Sequence, residues 1–257
     1  LDEVDRMLDI GFRDDIRKIL GHLKQKHQTI FVSATISDEI IRLAKKYMNN
    51  PEELDVTADS GSLTVSQVTQ EFVATQAWDK QRLLHHVLKN DKPLMTLIFC
   101  KTKATVDKLT KFLQNKDIKA ASIHGDLQQS KRNKVMQLLR GGNLQTLIAS
   151  DLAARGIDVE NITHVINYDV PEDPEIYVHR IGRTARAGRG GTALMFVTPE
   201  QGDLLTQIEA LTNVEIAEKF YPEFQISPEP RAIQNKRKAE EERIAAARQE
   251  KNRSKLN

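Results

Sequence analysis

The sequence predicts an α/β protein built on a parallel sheet with helices on both faces. Two observations carry this. Short apolar strands alternate with helical segments from residue 68 to residue 197, the pattern of successive strand–helix–strand units. The run LMTLIFC (94–100) is apolar without interruption, as expected of a strand covered on both faces. A third observation bounds the sheet: ADSGSLTVS (58–66) is small, polar and glycine-containing, and reads as a linker.

Before the linker, LDEVDRMLDIGF (1–12) places Asp2, Glu3 and Asp5 within four residues. Such a cluster at a strand end is a common place to hold Mg²⁺ against a nucleotide. QTIFV (28–32) reads as a short buried strand followed by SAT (33–35), and a helix is expected over 38–47, ended by Asn49, Asn50 and Pro51. After the linker, strands are expected at 68–74, 94–100, 118–123, 146–150, 164–168 and 192–197. Helices are expected at 80–89, 103–115, 129–140 and 174–182. Ligands of such sheets sit beyond the strand carboxyl ends.

Composition narrows the class. The 257 residues are 39% hydrophobic and 29% charged, ordinary for a soluble protein, and no apolar run approaches the ~18 residues of a membrane span. One cysteine, Cys100, excludes an internal disulfide framework and favours a reducing, cytoplasmic setting. The net charge of +2 conceals an asymmetry. Between Arg231 and Asn257 nine Lys/Arg face four Glu, so the tail is +5 and the remainder −3. The tail fits either a phosphate-binding segment or a solvated charged helix; its mixed signs favour the second as a minimum role.

Three segments at strand carboxyl ends carry chemistry. In VHRIGRTARAGRGG (178–191), a helix continued through the segment would put His179, Arg183 and Arg186 on one face. That is an anion site or a solvated basic face. SDLAARGIDV (150–159) offers Gly156 for close backbone approach and Asp158 as a ribose acceptor, or simply a turn. In HGDLQQSKR (124–132), Gln129 and Arg132 share a face that suits a phosphate backbone or plain solvent.

In order and spacing, DEVD (2–5), SAT, IFCKT (98–102), HGDLQQSKR, SDLAARGIDV and HRIGRTAR resemble the motif series of DEAD-box RNA helicases, from residue 1 to about residue 220. The resemblance implies two RecA-like domains, with ATP between them and RNA across both. Under it, residues 1–57 are the end of domain 1, 58–66 the linker, 67–220 a complete RecA-like domain 2, and 221–257 a basic tail. The phosphate-binding loop is absent: none of the twelve glycines is followed by lysine. With no initiator methionine, the chain is expected to be a fragment that is inactive alone.

The roles implied are these. Asp2 holds Mg²⁺ through water, Glu3 activates the attacking water, and Asp5, Ser33 and Thr35 couple nucleotide state to domain closure. Gly156 and Asp158 contact ATP, Arg183 and Arg186 reach the γ-phosphate, and His179 lies beside the attacking water. Thr102, Gln129, Arg132 and Ser150 touch the RNA backbone. Val4 replaces the usual Ala, and Ser150 the more frequent Thr, without loss of a carboxylate or a hydroxyl. Two other readings remain: a non-catalytic RNA-binding scaffold, and a DNA helicase of the same superfamily.

Overall fold

The computed structural model describes residues 1–33, 36–54, 67–154, 157, 161–185, 189–235, 237, 239 and 243. The chain divides into two compact units, Leu1–Gly61 and Ser62–Asn257. The expected linker (58–66) lies outside the described residues.

The first unit contains helices α1 (Val4–Asp9), α2 (Arg13–His22) and α3 (Asp38–Tyr47). Ser37 starts α3, its Oγ accepting the Ile40 amide at 3.4 Å. Asp38 and Glu39 in the first turn and Lys45 and Lys46 in the last complement the helix dipole. Ile16, Leu20 and Leu43 form a small core, with Leu1, Met7, Leu8, Phe31 and Tyr47 against it. The buried strand expected at 28–32 does not form; that stretch is irregular, and Ile30 and Val32 are 60% and 54% exposed. Its backbone partners are few: Leu1 donates to the Ile30 carbonyl at 2.8 Å, Val32 to Leu1 at 2.9 Å and Val4 to Val32 at 3.1 Å. A strand needs a partner of comparable length, and the described residues of this unit contain none.

The second unit is a seven-stranded sheet in the order β3-β4-β2-β5-β6-β1-β7, every pairing parallel. Its elements, in chain order, are β1 (Val68–Ala74), α4 (Lys80–Asp91), β2 (Thr96–Phe99), α5 (Lys103–Gln114), β3 (Ala120–Ile123), α6 (Gln129–Arg140), β4 (Thr146–Ala149), α7 (Asp151–Ala154), β5 (His164–Asn167), α8 (Pro174–Ile181), β6 (Gly191–Val197), α9 (Gly202–Thr212) and β7 (Ala217–Glu218). This is the expected doubly wound α/β fold.

Strand alternation sorts the core into two faces. Ile98, Cys100, Ile148, Ile166, Leu194 and Phe196 pack under Leu83, Leu84 and Val87 of α4 and Val106, Leu109 and Leu113 of α5. The neighbouring positions Leu97, Phe99, Leu147, Ala149 and Val165 face the other way, against Leu139 of α6 and Ala153 of α7. On that same side of β6, Ala193, Met195 and Val197 meet Tyr177 and Ile181 of α8 and Ile208 of α9. The Tyr177 hydroxyl is satisfied by Gln70 Oε1 at 2.9 Å.

Packing runs past the expected end of the sheet domain at 220. Tyr221 donates to Asp91 at 2.7 Å, and its ring lies edge-on to His86. Arg82 stacks on Phe224 at 5.2 Å, and Trp78 Nε1 donates to the Ser227 carbonyl at 3.1 Å. Asp79 is buried at the start of α4, and its carboxylate accepts from the Ser227 amide and hydroxyl rather than capping its own helix. Residues 219–227 therefore form a strap over α4. Residues 231–235 begin a helix; the rest of the tail lies almost wholly outside the described residues.

Candidate functional site

All seven strands run in one direction, so the segments that follow them emerge at one carboxyl edge. After β2, Thr102 caps α5, its Oγ1 accepting the Thr105 amide at 3.1 Å, and the Lys101 amide donates to Asp169 beyond β5 at 2.9 Å. After β3, Gln129 opens α6 in an exposed position and donates to Asn133 at 3.0 Å. Arg132 donates through Nη2 to the Ala153 carbonyl at 3.0 Å, tying α6 to α7. Ser150 follows β4; its carbonyl accepts the Ala153 and Ala154 amides at 3.1 and 3.0 Å and so starts α7. The edge thus brings together Thr102, Gln129, Arg132 and Ser150, the four expected RNA contacts on this unit.

The organising side chain of this edge is one the sequence reasoning passed over. Arg180 is 3% exposed. Its Nε and Nη2 donate to the two carboxylate oxygens of Asp151 at 2.6 and 2.9 Å, and its Nη1 to Asn167 Oδ1 at 2.9 Å and the Asp169 carbonyl at 2.8 Å. Its guanidinium also stands over the Phe99 ring at 5.1 Å. One planar fork therefore locks the carboxyl ends of β2, β4 and β5 to α8. A signal existed: Arg180 stands in a helix between inward-facing Tyr177 and Ile181, a place where arginine needs a carboxylate, and Asp151 opens the adjacent motif. His179, one residue earlier, is exposed.

The helix does not run on to carry His179 and Arg183 on one face; it ends within one residue of the expected 182. Helix α8 stops at Ile181, and tight turns follow, with Arg183 donating to the Arg180 carbonyl at 3.1 Å and Thr184 to Ile181 at 3.0 Å. Thr184 is buried and its hydroxyl donates to the Ile162 carbonyl at 2.6 Å; Ala185 takes a left-handed φ of 55°. Glycine at 191 permits this: a Cβ there would lie 2.3 Å from Thr184 Oγ1 and 2.8 Å from the Ala185 nitrogen. The buried turn outweighs helix continuation, and Arg183 sits half-buried in it. Arg186, Gly156, Asp158 and Thr35 lie outside the described residues.

A second passed-over residue is Lys80. It is 5% exposed, donates to the Tyr168 carbonyl at 2.8 Å and lies 3.6 Å from Asp169 Oδ1. Burial pushes its pKa down, against the pull of Asp169.

In the first unit, Asp2 and Glu3 precede α1 rather than follow a strand. Asp2 Oδ1 accepts the Glu3 amide at 2.9 Å, and Glu3 adopts φ 50°, uncommon for a side-chain-bearing residue. The Asp5 amide donates to Ser33 Oγ at 3.2 Å, so the DEVD and SAT segments are joined directly. Among the described residues no helix is long and apolar enough to cross a membrane.

Comparison with known proteins gives this geometry its context. Residues 1–43 match the DEAD/DEAH box helicase model, and residues 79–188 match the helicase conserved C-terminal domain. The chain is 32% identical to the crystallised E. coli DEAD-box protein SrmB bound to regulator of ribonuclease activity A, over 63% of this chain and 98% of that one, with a TM-score of 0.56. The chain belongs to the DEAD-box helicase family. Among curated relatives, the ATP-dependent RNA helicase CshA of Limosilactobacillus reuteri is 43% identical over 84% of this chain. The alignment spans 43% of that relative, so the chain corresponds to less than half of its length. S. cerevisiae Dbp5 bound to RNA and ADP BeF3 shares 31% identity and a TM-score of 0.75, over 85% of this chain and 58% of that one. The expected RecA-like, DEAD-box architecture is therefore borne out at the level of family and fold.

Proposed function

We propose that this chain acts within an ATP-dependent RNA helicase, coupling ATP binding and hydrolysis to sequence-independent RNA binding and local strand separation. The carrying observation is the Arg180 network. It fixes the segments bearing Thr102, Ser150 and His179 at one sheet edge, as a site made of separate loops requires. The names of the relatives support ATP and RNA as ligands.

The residues fit the groups implied. Mg²⁺ usually keeps several waters and takes one or two carboxylates plus substrate phosphates. Among the described residues no cluster of three or more metal-ligating side chains exists. Asp2, exposed beside Glu3, suits such a sparse, water-mediated role. Bound Mg²⁺ would neutralise phosphate charge. Glu3 would orient water, and Asp5 with Ser33 and Thr35 would report nucleotide state. Gly156 and Asp158 would hold ATP; Arg183 and Arg186 would stabilise charge on the γ-phosphoryl group, and His179 would lie beside the attacking water. Contacts from Thr102, Gln129, Arg132 and Ser150 to phosphate and sugar carry no base information, which gives RNA binding without sequence preference. The proposed division is residues 1–57, 58–66, 67–220 and a tail at 221–257, whose first residues pack on α4 and whose basic part, Arg231–Asn257, would add RNA affinity without sequence preference. The buried thiol of Cys100 suits a reducing cytoplasmic setting.

The test uses the chain itself. Labelled single-stranded RNA should bind more tightly than DNA of the same sequence, and Arg132→Ala should weaken RNA binding. Equal affinity for both nucleic acids would support the DNA-helicase reading. With no Gly-Lys in the sequence, the chain alone should turn over ATP no faster than its Glu3→Gln variant. RNA-stimulated turnover above that control would contradict this.

A further inference from the structure

A cationic cleft in the first unit is lined by none of the motif residues named above. In the first unit, α2 and α3 border a cleft of about 350 Å³ lined by Arg13, Arg17, Glu39, Arg42, Leu43 and Lys46. Four cations meet one carboxylate there. Arg13 and Arg17 are one helical turn apart on α2, and Arg42 and Lys46 repeat that spacing on α3, about 6 Å along each axis. The two ridges thus present charge along both sides of a groove.

The ion pairs do not cancel this charge. Glu39 is taken by Arg13. Arg17 reaches Asp14 only at 3.5 Å, with that carboxylate 79% exposed. Lys46 lies over the Tyr47 ring at 5.3 Å, and Arg42 forms no ion pair among the described residues. Leu43 is buried beneath the cleft, so the helices that carry these side chains are held together by the unit's core. Unneutralised like charges at i,i+4 destabilise a helix slightly, and an anion in the groove removes that cost.

We propose that this cleft is a phosphate-binding site for RNA, an additional contact carried by the first unit itself. With Arg13 held by Glu39 and Arg17 near Asp14, Arg42 and Lys46 are the cations that face the groove without a carboxylate partner among the described residues. A guanidinium such as Arg42 suits phosphate, which accepts bidentate hydrogen bonds from its planar fork. The proposal rests on the RNA-binding reading above.

The experiment measures binding of the full chain to a labelled single-stranded RNA of about thirty nucleotides across a salt series. The doubly neutral variant Arg42→Gln/Lys46→Gln is compared with wild type, with Arg42→Lys/Lys46→Arg, which keeps both charges, and with Arg132→Ala in the other unit. Both charged positions are solvent-exposed, and equal thermal melting checks that folding is intact. The neutral variant should lose about tenfold in affinity at low salt, and its log–log salt slope should shrink by about 0.7 per cation removed. The charge-keeping variant should bind like wild type. A neutral variant with wild-type affinity and slope, while Arg132→Ala still weakens binding, would overturn this site alone. No RNA binding by wild type would overturn both readings. Displacement of RNA from wild type and the neutral variant alike by an acidic polyglutamate peptide would also count against a phosphate site here. Displacement from wild type with tight direct binding of that peptide, lost in the neutral variant, would reassign the cleft to a protein partner.

Discussion

Two apolar runs in this chain look alike and end differently. QTIFV in the first unit and LMTLIFC in the second were both expected to form buried strands. The second becomes β2, with Leu97 and Ile98 wholly buried between β4 and β5. The first stays irregular, with Ile30 and Val32 more than half exposed. Of the fifteen large hydrophobic side chains exposed among the described residues, nine lie in the first unit, although it is much the shorter of the two. An apolar run is thus permission to form a strand; neighbouring strands and helices on both faces make it one.

The largest effect expected from this contrast is at Arg180. Removing it strands the carboxylate of Asp151 and orphans Asn167 and the Asp169 carbonyl, so Arg180→Ala should cost about 3–5 kcal/mol in the second unit. Urea unfolding should show it. A loss below about 1 kcal/mol would mean that the edge is held by strand packing alone.

Paired truncations test the contrast directly. Ile98→Ala should cost about 2–5 kcal/mol, whereas Ile30→Ala should stay within about 0.5 kcal/mol. Comparable losses at both positions would show that the first unit buries its run after all.

A smaller effect is expected at the strap. Ser227→Ala removes a hydroxyl that donates to Asp79 but leaves the Ser227 amide in place, and should cost about 1 kcal/mol. Trp78 is the only tryptophan and donates to the Ser227 carbonyl, so its fluorescence should shift toward that of a solvated indole as the strap loosens. An unshifted spectrum would place the strap's attachment elsewhere, at Tyr221 and Phe224.

The smallest effect is a pH dependence. Burial opposes ionisation of Asp79, but hydrogen bonds from Ser227 and Arg82 outweigh it and hold the carboxyl below its ordinary value of 3.8. The sign follows: the stability this group contributes is complete above that value and is lost as pH falls through the lower, folded one. The Trp78 signal should therefore begin to change only below about pH 4. A transition centred well above that range would show that Asp79 does not control the strap.

Much of this molecule was legible from residues alone. Strand–helix alternation, the doubly apolar run and the ordered motifs were enough for a parallel α/β sheet of the DEAD-box family, because those signals are local and repeat along the chain. Helix α3 matches its expected limits, with Ser37 capping its start, and α6 does too, with Gly141 following its last turn. What escaped depends on distant residues. Whether 28–32 becomes a strand rests on partners that no local window contains. The end of α8 was legible to within one residue, but its cause was not: Thr184 buried against Ile162 and the bare Cα of Gly191 in the next strand hold the turn that follows. Arg180 looked like one more cation in a basic motif until folding brought Asp151, Asn167 and Phe99 around it. The strap was hidden for the same reason, since Asp79 and Ser227 lie 148 residues apart in sequence and meet only across α4. Composition and spacing fix which groups a chain possesses; burial and long-range pairing decide which of them hold the site together and which remain open to a ligand.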